Sequence, residues 1–192
     1  KRHGIARNRE FTLVSQTEDT AVFRLESDPE TLKEYPYHFV LQTEYRLEGN
    51  SLIVGLRVKN AGGIPMPFAV GGHPAFRCPL EEGESFEDYR ISFEMQETVS
   101  CPAMDLETGL IDPSERRSIL QEENVLRLSH DLFQQDALVL EGLRSGKVWL
   151  SGGKAGRGME LEFSQFPYLG VWSALGDAPF VALEPWTGTA TL

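Results

Sequence analysis

Phe39, Leu41, Thr43, Tyr45 and Leu47 alternate with Val40, Gln42, Glu44 and Arg46, and after Gly49-Asn50 the alternation resumes at Leu52, Val54, Leu56 and Val58. A period of two sends successive side chains to opposite faces of an extended chain, which is incompatible with an amphipathic helix. With a turn pair between them, the two runs predict a β-hairpin. Thr20 to Leu25, Tyr89 to Phe93, Ala137 to Leu140, Lys147 to Leu150, Met159 to Phe163, Tyr168 to Trp172 and Phe180 to Leu183 repeat the strand-like pattern. Turn signals fall between them at Gly142, Ser145-Gly146, the Gly152-to-Gly158 segment, Phe166-Pro167 and Gly176-Asp177-Ala178-Pro179. Helical signals are short: Asp28-Pro29-Glu30 opens one turn with an acidic start, and Ser129 is placed to cap His130 to Gln134. Many short strands at near-regular spacing predict an all-β antiparallel sandwich or barrel.

Composition narrows what such a fold does. At 192 residues the chain suits a single domain over 1–192 with a sizeable core. A formal net charge of -11 repels phosphate backbones, so no nucleic-acid partner is expected, whereas a polar sugar is admitted. No apolar run approaches the ~20 residues of a membrane span, and no membrane partner is expected. Cys78 and Cys101 are too few for a disulfide scaffold and lack CxxC spacing, so reduced thiols in a cytoplasmic protein are the expectation. The chain starts Lys1-Arg2-His3 and stops at Leu192 after a strand-like run, which suggests an incomplete copy of a longer domain. The acidic run Glu81 to Asp88 reads as a solvated loop.

Several catalytic signatures fail. Gly152-Gly153-Lys154-Ala155-Gly156-Arg157-Gly158 lacks the spacing of a phosphate loop and lies between two strand patterns, so it reads as a hairpin loop. There is no GxSxG, no HExxH and no paired-histidine spacing, so neither a serine nucleophile nor a metal is expected.

Polar residues at the ends of apolar strands remain. In Met66-Pro67-Phe68-Ala69-Val70-Gly71-Gly72-His73-Pro74-Ala75-Phe76 a Gly-Gly break precedes one histidine, and Pro74 biases His73 toward an extended backbone. A titratable imidazole on a restricted backbone suits proton transfer, although a histidine in a turn is ordinarily structural. Glu184 closes the apolar run Phe180-Val181-Ala182-Leu183; it is either a base made stronger by one-sided desolvation or a strand-end partner in an ion pair. Trp186 beside it offers a flat apolar face of the kind on which sugar rings rest. Asp136 precedes Ala137-Leu138-Val139-Leu140, where an ordinary cap is the plainer role. His3 and Arg7 place an imidazole and a guanidinium four residues apart, the latter suited to sugar hydroxyls. His38 and His130 read as structural or exposed.

Four segments together resemble the aldose 1-epimerase family, the galactose mutarotase-like proteins, and within it the LacX-like bacterial branch: His3-Gly4-Ile5-Ala6-Arg7 through Phe11, Gly72-His73-Pro74-Ala75-Phe76, Asp136-Ala137-Leu138, and Leu183-Glu184-Pro185-Trp186-Thr187-Gly188. Tyr35-Pro36-Tyr37 and Asn60 also fit, and the order runs over nearly the whole chain. The resemblance implies a large antiparallel β-sandwich, or supersandwich, with strands before the first motif and a segment after the last that this chain lacks. It implies Glu184 as general base, His73 as general acid, and His3, Arg7 and Asp136 as sugar-binding residues, with no cofactor. The chemistry is ring opening and closure at the anomeric carbon of a free aldose, a small-molecule sugar substrate. Alternatives are a non-catalytic carbohydrate-binding protein of the same fold, a hexose-6-phosphate 1-epimerase drawing on Arg7, Arg9 and Arg77, or a glycoside hydrolase or lyase, for which Asp136 is the candidate second carboxylate.

Overall fold

A computed structural model describes residues 3–105, 107–153 and 156–190. The chain divides into two compact units, Lys1–Phe68 and Ala69–Leu192.

The first unit is an antiparallel meander of β1 (Thr12–Gln16), β2 (Thr20–Glu26), β3 (Phe39–Glu48) and β4 (Ser51–Asn60), joined in that order. The expected hairpin is β3–β4, in continuous register from Phe39↔Asn60 to Glu48↔Ser51. Helix α1 (Pro29–Glu34) starts where the acidic turn signal placed it, because Asp28 accepts the Thr31 amide at 2.7 Å while the Thr31 hydroxyl returns a bond to the Asp28 backbone. Register puts Leu13, Phe23, Leu25, Phe39, Leu41, Tyr45, Leu47, Leu52, Val54, Leu56 and Val58 on one face. That face is buried at Leu25 and Phe39 and exposed toward the hairpin tip at Leu47, Leu52 and Val54.

The second unit is the sandwich. One sheet runs β10 (Gly158–Glu162), β9 (Lys147–Gly152), β6 (Tyr89–Met104), β7 (Ile111–Arg127). The other runs β5 (Ala75–Arg77), β12 (Phe180–Trp186), β11 (Tyr168–Trp172), β8 (Leu138–Glu141). Ile91, Phe93, Val148 and Leu150 from the first sheet share one core with Leu138, Leu140, Leu169, Val171, Val181 and Leu183 from the second. Each such side chain contributes roughly 1.5–3 kcal/mol when removed from water, and this shared core holds the two sheets together.

Two features depart from the simplest strand reading. β6 extends far beyond the Tyr89-to-Phe93 pattern, β7 matches no strand expected from the sequence, and their pairing shifts register at several points between Ser92 and Ala103. At Glu97, one such point, the carboxylate is buried and accepts the backbone amides of Arg144 and Ser145 and the Ser145 hydroxyl, the last at 2.6 Å. Ser129 occupies the cap position of the short 3-10 turn His130–Phe133 as expected, but its side chain makes no capping bond. The Gly152-to-Gly158 segment joins β9 to β10, with Lys154 and Ala155 outside the described residues.

Candidate active site

The outer face of the second sheet carries the polar residues. β12 alternates, with Val181 and Leu183 in the core and Phe180, Ala182, Glu184 and Trp186 on the other face. Ala182 and Glu184 are buried nonetheless, which is why the sequence there reads as a continuous apolar run rather than as alternation. β11 pairs Gly170 with Glu184, Trp172 with Ala182 and Tyr168 with Trp186, so these residues share the outer face.

On the other side of β12 runs the Gly-His-Pro segment. Ala75 pairs with Ala182, Phe76 with Val181 and Arg77 with Phe180, and the Gly71↔Trp186 bridge keeps the same register. Gly72 N–H donates to the Pro185 carbonyl at 3.0 Å and Leu183 N–H to the Pro74 carbonyl at 3.1 Å. Counting along that register sets His73 opposite Glu184. Pro74 has no N–H to return a bond, so the ladder is interrupted next to His73 without losing alignment. Thr187 locks the upper end: its backbone and hydroxyl both donate to the Val70 carbonyl, at 2.9 and 3.0 Å, and its hydroxyl accepts the Val70 amide at 2.8 Å.

The imidazole and carboxylate meet, with His73 Nδ1 at 3.3 Å from Glu184 Oε1. The imidazole is 37% exposed and the carboxylate 4%, so the histidine is the solvent-facing member of the pair and the glutamate the buried one. Trp172 stands edge-on to the imidazole, the rings 6.3 Å apart at 89°, and packs at 5.5 Å against Phe180. The half-buried Trp186 indole lies over Gly170, where an added β-carbon would come within 2.6 Å of its ring.

Asp136 sits two residues before β8 with φ of 71°, a left-handed conformation that Asp tolerates better than most residues, and its carboxylate accepts the Ala137 amide at 2.8 Å. This is the local turn role that the sequence admits. His3 and Arg7 lie in the first unit, in the turn ahead of β1, bonded to each other at 2.7 Å between Arg7 Nη1 and His3 Nδ1. A guanidinium only donates, so His3 Nδ1 is the acceptor in this contact. His38 contacts Ser27 at 3.2 Å and His130 stacks on Phe86 at 4.1 Å, both structural roles. Among the described residues, no group of three or more His, Cys, Asp or Glu is placed to hold a metal ion. No helix there is long and apolar enough to cross a membrane.

Sequence reasoning assigned no role to Trp172 or Gly170, and quoted Thr187 only as part of a motif. Tyr168, Gly170 and Trp172 do alternate in the sequence, but only pairing with β12 reveals that they flank Glu184.

The fold and the site define an antiparallel β-sandwich protein with a paired imidazole and carboxylate on the outer face of one sheet. The sequence profile of aldose 1-epimerase matches residues 1–181, and the chain belongs to the aldose 1-epimerase family. It is 41% identical over 192 residues to the plasmid-encoded protein LacX of Lactococcus lactis subsp. lactis, covering all of this chain and 64% of that protein. It is similar to a galactose mutarotase related enzyme from Lactobacillus acidophilus, with 34% identity and a TM-score of 0.88 over 98% of this chain and 62% of that one. It is similar also to a galactose mutarotase-like protein from Lactobacillus casei, with 31% identity and a TM-score of 0.87 over 99% of this chain and 65% of that one. The chain thus spans less than two thirds of the length of each.

Proposed function

We propose that the chain is an isomerase of the aldose 1-epimerase type, interconverting the α and β anomers of a free hexose. The observation that carries this reading is the His73–Glu184 contact on a sheet face bordered by two indoles. The hydroxyl and ring oxygens of a cyclic aldose are bonded to the same carbon, so a base for one and an acid for the other must converge within a few ångströms.

Glu184 takes the proton of the C1 hydroxyl while His73, as imidazolium, protonates the ring oxygen. The bond between C1 and the ring oxygen breaks and the C1 carbonyl forms. Rotation about C1–C2 presents the other carbonyl face, and the two groups exchange roles on closure. Burial disfavours a charged carboxylate and an adjacent imidazolium favours it; opposing influences of this kind are how acid–base pairs are tuned. The faces of Trp172 and Trp186 supply apolar surface for the sugar ring, and Asp136 takes the hydroxyl-binding role that its motif implies. The buried free thiols Cys78 and Cys101 suit the reducing environment of a cytoplasmic protein.

Polarimetry or NMR of freshly dissolved α-D-glucose and α-D-galactose tests the reading. The protein should speed equilibration of at least one sugar, and His73→Ala and Glu184→Gln should each abolish the effect. Acceleration that survives both substitutions would remove the pair from the mechanism. Binding without acceleration would instead favour a carbohydrate-binding protein.

A further inference from the structure

Gly170 is buried on β11 opposite Glu184, and two side chains converge on the space above it. A β-carbon added there would lie 2.6 Å from Trp186 Cζ2, 2.7 Å from its Cη2 and 3.2 Å from the Glu184 β-carbon. The first two are hard overlaps. The third is a tight contact that a small adjustment relieves. On its opposite side the same indole is confined by Gly71, where an added β-carbon would meet Trp186 Cδ1 and the Pro185 carbonyl, each at 2.6 Å. The ring thus reaches from the segment on one flank of β12 to the strand on the other, crossing next to Glu184, and it has this path only because both flanking positions lack a side chain.

We infer that Gly170 is a positioning residue for Glu184: by leaving room for the Trp186 indole to lie across β11, it seats that indole beside the base and fixes the carboxylate opposite His73. The inference rests on reading Glu184 as the base. Gly170 touches neither proton in transit and acts only through Trp186. A carboxylate moved by about 1 Å from its productive position loses rate on the order of a hundredfold.

Gly170→Ala, Trp186→Ala and the double variant test this, with mutarotation kinetics and the NMR titration of the His73 ring protons as readouts. Gly170→Ala should lower kcat by about ten- to a hundredfold, with KM rising as well because the displaced Trp186 indole also borders the sugar. It should also move the His73 titration midpoint toward that of Glu184→Gln. In the Trp186→Ala background, where the methyl has room, adding Gly170→Ala should change kcat by less than about threefold. Folding of the double variant where Gly170→Ala alone fails to fold would support the same coupling. A Gly170→Ala enzyme within about twofold of wild type in kcat, with an unmoved His73 titration, would overturn the inference. So would an equal loss in both backgrounds. If the wild-type protein accelerates no aldose, the mutarotase reading falls, while the His73 titration still decides whether Gly170 positions Glu184.

Discussion

His73 and Glu184 stand opposite each other in one antiparallel register, and their 3.3 Å contact is a cross-strand pair. Backbone pairing on both sides of the break at Pro74, with the Thr187 clamp beyond it, fixes their separation, so the site inherits the rigidity of the sheet.

Under the proposed mechanism the two groups act in a single proton exchange, so their contributions should not add. His73→Ala and Glu184→Gln are each expected to lower kcat by about 10²–10⁴-fold, and the double variant should lose little more than the worse single one. Additive losses would mean that the two residues act in separate steps.

Glu97 is the control carboxylate. It is as buried as Glu184, but its oxygens are occupied by backbone amides of the β8–β9 loop. Glu97→Ala should cost about 2–4 kcal/mol by stranding those donors, seen as a lower denaturant midpoint. The kcat of the folded fraction should stay near wild type. Loss of turnover without loss of stability would reverse this assignment.

Thr187→Val removes the hydroxyl that both donates to and accepts from Val70. A loss of about 1–2 kcal/mol in stability is expected, with faster amide hydrogen exchange at Val70 and Gly72. Unchanged exchange at those amides would show that the pairing along β12 holds the segment without the clamp.

Burial pushes both thiols, Cys78 and Cys101, up to about 12 from a usual 9.0. A thiol whose folded pKa is raised favours the folded state below the unfolded pKa and loses that contribution as pH climbs toward the folded one. Native protein at pH 8 should therefore resist alkylation by iodoacetamide, and both cysteines should react once the chain is unfolded. Their part in stability should decline between about pH 9 and pH 12, measured as a Tm difference from the Cys→Ala variants. Rapid labelling of the native protein would show that one of the thiols is accessible.

Where alternation was unbroken, the strands were legible in advance. Tyr168–Trp172 coincides with its pattern, and the β3–β4 hairpin turns at Gly49-Asn50 as its composition demands. β1 went unread because Leu13-Val14-Ser15 lies on an exposed edge with a bulge, where no buried face imposes a period. The length of β6 and the whole of β7 were hidden for a related reason: each register shift between them moves the following side chains to the other face and scrambles the period of two.

The same distinction divides the site. Local covalent constraint was readable from the sequence: Gly72-His73-Pro74 restricts the backbone at His73, and the apolar run before Glu184 foretells a buried carboxylate. Which of two buried glutamates meets an imidazole and which meets only backbone amides was decided by pairing across the sheet, as was the meeting of Trp172 with His73 and of Trp186 with Gly170. Sequence encodes propensities over a few residues. A contact between residues 73 and 184 exists only once strands far apart in the chain share a register, and that register is set by the collective burial of their other faces.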